Sequence, residues 1–510
     1  MPIAKVYSAA VLGLNAQPIE VEVDLSGGLH AFHIVGLPDL AVNEARERVS
    51  SALKNSGFTP PIHSKRRVIV NLAPADLKKQ GPAYDLPIAA AFLLASNQLR
   101  TGNFEDKILV GELSLEGRIR PINGVLSICL MAKEKGFKTL LVPQQNAVEA
   151  ALVENLEIIP VQSLVQAVKH LNGEEIIERQ PITEINHFYH SENFWDMAYI
   201  KGQEHVKRAL EIAASGGHNI LMSGPAGAGK TLLARAFFSI LPPLNKEEAI
   251  EVTKIFSVAG FLLKNQGLIS TRPFRSPHHT ASTASLVGGG PYPKPGEITL
   301  AHRGVLFLDE LPEFNRDVLE SLRQPLEDGL INISRAAGAL TFPAQFTLIG
   351  AMNPCPCGKL SEQNEECLCS AGQISKYQRK ISGPLLDRID LHLEVPKVEY
   401  EELTDEKKSE PSAAIKQRVK RAREIQRQRF NKNDIFLNSQ MNLKHIKKYC
   451  RIDSQSRELL KIAMRQMNLS ARSYHRLLKL SRTIADLAKE DNIQPNHIAE
   501  AIQYRPKHET

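Results

Sequence analysis

Residues 224–231 read GPAGAGKT, a glycine-rich run that ends in a lysine and a threonine. The run follows an apolar strand, NILMS, and leads into a helical stretch, LLARAFFSIL, which is the context that a phosphate-binding loop requires. Glycines let backbone N–H groups converge on phosphate oxygens, and the helix amino terminus favours negative charge. The predicted nucleotide-binding residues are Gly224, Pro225, Ala226, Gly227, Ala228, Gly229, Lys230 and Thr231.

Two further strands supply residue types that ATP hydrolysis needs. GVLFLDE ends in two carboxylates: Asp309 is expected to hold Mg²⁺ through its water shell, and Glu310 to orient and deprotonate the attacking water. Lys230 is expected to reach the β and γ phosphates, and Thr231 to offer its hydroxyl to the Mg²⁺. The next strand, FTLIGAMN, ends at Asn353, whose amide would project toward the γ-phosphate.

Four cysteines follow this third strand as two C-x-C pairs in NPCPCGKLSEQNEECLCS. Cys355, Cys357, Cys367 and Cys369 could close a tetrahedron of thiolates around a structural Zn²⁺, since the polar loop between them has no core of its own. The alternative is four reduced thiols without a metal, because the usual spacing is C-x-x-C. A catalytic zinc is not expected, because no histidine accompanies the set.

Composition places limits on the elements that position these residues. The chain has 510 residues, enough for two to four domains, with 43% hydrophobic and 23% charged residues, as in soluble globular proteins. No apolar run approaches the roughly 20 residues of a membrane span, so a cytoplasmic protein without a membrane partner is expected. Six cysteines do not form a disulfide scaffold in a chain of this size, and Cys129 and Cys450 are expected to be core thiols.

Positive charge is concentrated toward the carboxyl terminus. Residues 401–510 contain 24 Lys and Arg against 14 Asp and Glu, a surplus that exceeds the net charge of +7 of the whole chain. Residues 415–432, IKQRVKRAREIQRQRFNK, hold eight basic residues and one acidic residue, a pattern that suits sequence-independent binding to a phosphate backbone. The alternative is a helix with a solvated basic face.

Residues 196–505 resemble the magnesium-chelatase-related branch of the AAA+ ATPases. Within that branch, RPFRSPHHTASTASLVGGGPYPKPGEITLAHRGVLFLDELPEF, residues 272–314, is similar to the ComM/YifB family. The resemblance implies that Asn353 is sensor 1, that Arg388 is an arginine finger offered to the ATP of the neighbouring subunit, and that Arg472 is the sensor-2 arginine. It also implies a ring, expected to be a hexamer, because each site is completed in trans.

The amino-terminal residues resemble the proteolytic domain of Lon-type proteases, in GPAYDLP and in LVGELSLEGRIRPINGVL. In those proteases a serine follows the first Gly-Pro, and a lysine follows the Pro-x-x-Gly turn. Here Ala83 and Leu126 stand at these places, and neither side chain can attack a carbonyl or take a proton. We therefore expect a non-peptidase domain that serves ring assembly, contact with DNA or structural support.

The expected fold class is α/β, with four segments. They are a Lon-like (ribosomal S5 domain 2-like) α+β domain at 1–170, a linker at 171–195, an AAA+ core with the cysteine loop at 196–398, and a helical lid at 399–510.

Two loops of the core are predicted to contact DNA. GLINISRAAGALTFPAQ alternates, turns near Arg335 and alternates again, which predicts a hairpin. In related ring helicases a hairpin before sensor 1 lines the pore, so Arg335 is a candidate phosphate contact. Lys294, in GGGPYPKPGE, is a weaker pore candidate, and His278 with His279 is weaker still. The alternative for the two histidines is a solvated or locally hydrogen-bonded pair, which is the commoner state of paired loop histidines.

The resemblance implies an ATP- and Mg²⁺-dependent motor that acts on single-stranded and branched DNA. Helicase and branch-migration activity would promote integration of donor DNA in natural transformation and homologous recombination. The alternative is a chelatase-type or chaperone-type motor that remodels a protein partner. An active ATP-dependent protease is excluded by Ala83 and Leu126.

Overall fold

The computed structural model describes residues 3–29, 31–61, 66–100, 102–183, 195–262, 267–290, 294–335, 338–360, 366–404, 409–430, 435–467 and 469–505. The chain forms two compact units. The first comprises Met1–His187 and Asn245–Ser270, and the second comprises Phe188–Leu244 and Thr271–Thr510. Residues 245–270, which the sequence placed in the AAA+ core, thus pack with the amino-terminal unit, while the predicted lid clusters with the core. None of the described helices combines the length and the apolar character that crossing a bilayer demands.

The described part of residues 1–187 contains nine strands and five α-helices. The strands are β1 (Ala4–Leu12), β2 (Asn15–Gly27), β3 (Ala31–Val35), β4 (Arg66–Ala73), β5 (Lys107–Leu109), β6 (Glu112–Leu113), β7 (Ile119–Arg120), β8 (Thr139–Pro143) and β9 (Glu157–Val161). The helices are α1 (Leu40–Asn55), α2 (Asp85–Ala95), α3 (Val125–Lys135), α4 (Ala147–Ala150) and α5 (Leu164–Leu171).

The remaining elements follow in chain order. The strands are β10 (Ile220–Ser223), β11 (Phe274–Arg275), β12 (Gly288–Gly289), β13 (Lys294–Pro295), β14 (Val305–Leu308), β15 (Leu330–Arg335), β16 (Gly338–Pro343), β17 (Thr347–Met352) and β18 (Leu391–Glu394). The helices are α6 (Glu204–Gly216), α7 (Lys230–Ile240), α8 (Lys246–Ala259), α9 (Thr283–Val287), α10 (Glu297–Leu300), α11 (Arg316–Ser321), α12 (Arg323–Asp328), α13 (Ala371–Gln378), α14 (Gly383–Leu386), α15 (Tyr400–Thr404), α16 (Ser412–Phe430), α17 (Leu443–Tyr449), α18 (Ser454–Gln466), α19 (Ala471–Ala488) and α20 (Pro495–Gln503).

The first unit is built on a mixed seven-stranded sheet in the order β3-β4-β2-β1-β5-β8-β9. The β1–β2 and β2–β4 pairs are antiparallel, and the other pairs are parallel. In β2 the alternating Ile19, Val21, Val23 and Leu25 are buried, because every second side chain of a strand faces the same side. The apolar helix α2 is buried over most of its length.

Helix α8 belongs to this unit although it directly follows α7 in the chain by way of residues 241–245. Asn245 caps its amino terminus in a capping box with Glu248. At its carboxyl end, the Ser257 carbonyl accepts a hydrogen bond from the Gly124 amide at 3.2 Å. The helix therefore packs beside the start of α3.

The second unit contains a parallel five-stranded sheet in the order β11-β14-β17-β10-β18. Strands β14 and β17 are buried at every position, as expected of strands covered on both faces. Because all five strands run the same way, their carboxyl ends share one edge of the sheet, where doubly wound folds place their ligands. The expected α/β class with a parallel core is confirmed.

The carboxyl-terminal helices share one apolar cluster with this sheet. On α19, Leu477, Leu480 and Ile484 are buried at spacings of three and four, and Leu487 packs against the cluster. Strands β15 and β16 form the predicted antiparallel hairpin, with Arg335 opposite Gly338.

Candidate nucleotide site

The P-loop connects the carboxyl end of β10 to α7. Gly224 must be glycine, because a Cβ there would lie 2.1 Å from the Val395 carbonyl oxygen. Gly227 and Gly229 have φ angles of +78° and +83°, in the left-handed region that glycine adopts without strain. These positions explain why the sequence needs glycine at three places before Lys230.

The Lys230 ammonium group lies over the loop. Its Nζ donates to the carbonyl oxygens of Gly224 at 2.7 Å and Pro225 at 2.8 Å, and to Asn353 Oδ1 at 3.1 Å. Burial lowers the pKa of Lys230, and the negative charges of Asp309 and Glu310 oppose that shift. The predicted sensor 1 and the predicted phosphate-binding lysine are thus in direct contact.

The predicted Mg²⁺ ligands also converge. Thr231 Oγ1 donates to Asp309 Oδ2 at 2.8 Å, which brings a hydroxyl from α7 and a carboxylate from the end of β14 together. Hydroxyl and carboxylate oxygens suit Mg²⁺, which keeps several of its waters beside such ligands. The residues present therefore fit a magnesium ion.

Glu310 follows Asp309 in a left-handed conformation, with φ of +51°, and its amide donates to Asp309 Oδ1 at 3.0 Å. Its carboxylate is approached by His279, whose Nδ1 lies 3.3 Å from Glu310 Oε2. The ring of His278 packs 4.1 Å from that of His279, while its own Nδ1 is hydrogen bonded to Thr280 Oγ1 at 2.9 Å. The local hydrogen bond expected for the pair holds for His278, but His279 contacts the predicted general base.

The predicted arginine finger and the predicted sensor-2 arginine share one carboxylate. Arg388 is buried and donates to Glu327 and, at 2.7 Å, to the Pro384 carbonyl oxygen. Arg472 on α19 donates to the other oxygen of Glu327 at 3.0 Å. Partial burial of Glu327 opposes its ionisation, but the Arg388 hydrogen bond and the charges of both arginines lower its pKa. Among the described residues, Nε of Arg388 is a buried donor without a partner.

The four cysteines after Asn353 form one cluster of free thiols. Their sulfur atoms all lie within 4.8 Å of one another. The Sγ of Cys355 is 3.3 Å from that of Cys357 and 3.6 Å from that of Cys367, and the Cys357 and Cys367 sulfurs are 3.6 Å apart. A zinc ion bound at about 2.3 Å to four sulfurs makes a tetrahedron with edges of about 3.8 Å, so the donor set fits this metal.

The two candidate DNA contacts, Arg335 and Lys294, lie on short strands of the second unit. The backbone of Arg335 belongs to β15, but its side chain lies outside the described residues. Lys294 is exposed on β13, which pairs with β12.

Several basic residues of α16, which the sequence predicts to bind a phosphate backbone, already have partners in the protein. Arg418 pairs with Glu211 and Glu410, and Arg429 donates to Asp486 at 2.8 Å. Arg423 donates to the Ala214 carbonyl oxygen at 2.8 Å. The exposed basic residues of this helix are Lys420, Arg421 and Arg427. One face packs on α6, so only part of the predicted charge is left for a polyanion.

In the first unit, the two residues expected at the positions of the Lon dyad have apolar surroundings. Leu126 is fully buried in a hydrophobic cluster, and Ala83 packs against the same cluster. The Leu126 amide donates to the buried carboxylate of Glu149 at 2.9 Å, and Ser257 of α8 donates to that carboxylate as well. Burial raises the pKa of Glu149, and these hydrogen bonds oppose the shift.

A five-stranded parallel sheet with a P-loop, an acidic strand end and the Asn353 amide at one edge is the arrangement of P-loop ATPases of the AAA+ class. Family models agree: residues 196–403 match magnesium chelatase, subunit ChlI, residues 21–146 match subunit ChlI of Mg-chelatase, and residues 409–505 match its C-terminal model.

Similar proteins of known sequence identify the family within this class. The competence protein ComM of Haemophilus influenzae is 44% identical, over 99% of this chain and 98% of that protein. YifB of Escherichia coli is 43% identical, over 99% and 97%. The Lon protease of Rhizobium meliloti is 29% identical over 28% of this chain and 18% of its own length. The chain belongs to the ComM/YifB family of magnesium-chelatase-related AAA+ ATPases.

Proposed function

We propose that the protein is an ATP-dependent motor that moves branched and single-stranded DNA, and so promotes integration of donor DNA in transformation and homologous recombination. One observation carries the ATPase part: Lys230, Thr231, Asp309, Glu310 and Asn353 converge at one sheet edge. The DNA part is supported by the relationship to a competence protein. The cytoplasm, where ATP is available, is the proposed compartment.

In the proposed reaction, Thr231 and Asp309 would hold Mg²⁺ and its waters, and the metal would supply positive charge that offsets the charge of the phosphates. Lys230 exchanges its carbonyl partners for phosphate oxygens. Glu310 accepts the proton of the attacking water, and Asn353 orients the γ-phosphate. Electrostatic stabilisation of this kind is usually the largest single contribution to catalysis.

We also propose a ring, expected to be a hexamer, in which each site is completed by a neighbouring subunit. Arg388 is the proposed arginine finger, which would neutralise transition-state charge on the neighbour's nucleotide. Arg472 is the proposed sensor-2 arginine, and both side chains are hydrogen bonded to Glu327 in the single chain.

We propose that the four clustered cysteines bind Zn²⁺. Thiolate ligands select soft or borderline metals, and the separations between the sulfur atoms suit a tetrahedron. Four reduced thiols without a metal are the alternative, and the metal content of the purified protein distinguishes the two.

DNA contact is proposed at the β15–β16 hairpin with Arg335, at Lys294 and at the exposed residues of α16. A motor that remodels a protein partner is the second candidate, and the ion pairs that occupy Arg418 and Arg429 favour it, because they reduce the basic surface.

The test is ATP-dependent branch migration on a mobile four-way DNA junction, with Glu310→Gln as the matched control. This isosteric change removes the proton acceptor and should lower turnover by about 10²-fold or more while ATP still binds. Strand release by the unmutated protein alone supports the DNA motor. ATP hydrolysis without movement or binding of any DNA at low salt contradicts it and favours the protein-remodelling motor.

A further inference from the structure

We infer that the cysteine cluster, when it holds Zn²⁺, is a structural support of the ATP site, so that nucleotide binding depends on the metal. This inference rests on the proposed ATPase function and on zinc as the metal that the cysteines bind. It goes further in giving the metal a role: it fixes the loop after sensor 1 against the P-loop.

The first step is the position of the amino-terminal cysteine pair. Cys355 and Cys357 lie two and four residues after Asn353, which hydrogen bonds to Lys230. The turn that contains them is closed by a hydrogen bond from the Gly358 amide to the Cys355 carbonyl oxygen at 3.0 Å. Two sulfur ligands are therefore joined to the predicted sensor through a single tight turn.

The second step is contact between this turn and the P-loop. Gly358 has a φ of +80°, and a Cβ placed on it would lie 3.7 Å from the Ala226 amide nitrogen and 4.0 Å from Asn353 Cγ. The space between the cysteine turn and this backbone N–H of the phosphate-binding loop is thus about one added carbon atom wide. A shift of this turn would alter the space beside the P-loop.

The third step is the other end of the cysteine loop. Cys369 is followed directly by Ser370, which caps α13 in a capping box with Gln373. Near the end of α13, Gln378 Nε2 donates to the carbonyl oxygen of Pro354, the residue after Asn353, at 3.3 Å. The second cysteine pair is thereby connected to the same strand end through a helix.

The cysteine turn therefore follows the end of β17 directly, and α13, which begins after the second cysteine pair, contacts the same strand end. A metal bound to the four sulfur atoms would join these two segments. The cysteine loop is polar, and Cys355 is its one fully buried cysteine. Hydrophobic packing therefore contributes little to holding the two pairs together. A tetrahedral metal supplies that link, and structural zinc sites contribute folding free energy directly.

The experiment compares cysteine variants for metal content and for nucleotide binding without turnover. Cys357→Ser removes one zinc ligand. Cys357 is the exposed cysteine of the cluster, so this change disturbs side-chain packing less than a change at the other three. Cys450→Ser and Cys129→Ser are the matched controls, because these buried cysteines lie outside the cluster. The zinc content is measured by elemental mass spectrometry. The Kd of a fluorescent ADP analogue is measured by titration.

We expect about one zinc per chain in the unmutated protein and in both controls. In Cys357→Ser we expect loss of zinc and a Kd raised about tenfold or more, in the range that disturbed metal surroundings commonly produce. As a second measurement, removal of zinc from the unmutated protein with a strong chelator should raise the Kd, and zinc sulfate should restore it.

The outcomes separate this inference from the proposed function. An unmutated protein that contains zinc but binds no nucleotide contradicts the ATPase function itself. A protein that binds nucleotide but contains no zinc, or whose Kd is unchanged after zinc is lost, overturns the structural role of the metal and leaves the ATPase function standing.

Discussion

At the scale of single residues, the contact between His279 and Glu310 is the feature that the sequence did not predict. A paired histidine motif in a loop carries no signal for a catalytic contact. The contact arises because β11, which precedes the motif, lies next to β14 in the sheet. We therefore propose that His279 positions Glu310, the predicted general base.

Replacing His279 by alanine should lower kcat for ATP hydrolysis about tenfold, which corresponds to about 1.4 kcal/mol, with a smaller change in KM. The reason is that Glu310 loses the imidazole that orients its carboxylate. Steady-state kinetics provide the measurement, and His279→Gln should recover part of the rate by supplying another donor. His278→Ala is the control, because the polar contact of that ring is with Thr280. Equal losses in both alanine variants would contradict a specific role for His279.

Glu327 is a second residue that only the structure identifies. Its two carboxylate oxygens hold Arg388 and Arg472, which are 84 positions apart in the chain. Neither arginine could be linked to it by sequence spacing.

Glu327→Gln should lower the rate of ATP hydrolysis about tenfold while nucleotide affinity changes little, because the two guanidinium groups lose their common anion. Glu320→Gln is the matched control, since Glu320 pairs with Arg323 on the same stretch of chain. In combination with Arg388→Ala, Glu327→Gln should add no further loss if it acts through that arginine. Fully additive losses would show that Glu327 acts elsewhere.

At the scale of elements, α16 shows how packing divides a basic sequence. Ile415, Val419, Ala422 and Phe430 are buried, at the spacing of one helical face. This orientation leaves Lys420, Arg421 and Arg427 exposed, while arginines beside the buried face pair with acidic partners.

Changing Lys420, Arg421 and Arg427 to glutamine should weaken binding to single-stranded DNA. It should also reduce the dependence of log K on log salt by about 0.7 for each phosphate that these side chains no longer neutralise. Fluorescence anisotropy over a salt series measures both quantities. The control replaces three exposed lysines of the first unit, Lys133, Lys135 and Lys138, and so removes the same charge. Equal effects of the two triple variants would mean that net charge, rather than this helix, attracts DNA.

At the scale of the whole molecule, the proposed ring requires that each active site takes residues from two chains. Glu310 would act on the nucleotide of its own subunit, and Arg388 on that of its neighbour. Two inactive variants could then complement each other within one ring.

Mixing Glu310→Gln subunits with Arg388→Ala subunits should restore part of the ATPase activity, because some interfaces then combine an intact Glu310 with an intact Arg388. The activity of mixtures at varied ratios is the measurement, and each variant alone is the control. An activity that stays at the level of the separate variants, although the subunits assemble together, would contradict sites shared between chains.

Much of the nucleotide site could be predicted from the sequence. The P-loop, the strand ending in Asp309 and Glu310, and the strand ending in Asn353 are local patterns, because a phosphate-binding loop needs glycine at fixed positions and buried parallel strands are apolar. The four cysteines and the β15–β16 hairpin are also local. In each case the residues that act together are close in the chain or occupy equivalent strand ends.

The tertiary structure decided which distant residues meet. It brought His279 to Glu310, joined Arg388 and Arg472 through Glu327, and placed α8 in the first unit rather than with the P-loop helix that precedes it. It also determined which arginines of α16 are paired. These contacts depend on strand order and helix packing, which bring together side chains whose separation along the sequence carries no information about their separation in space.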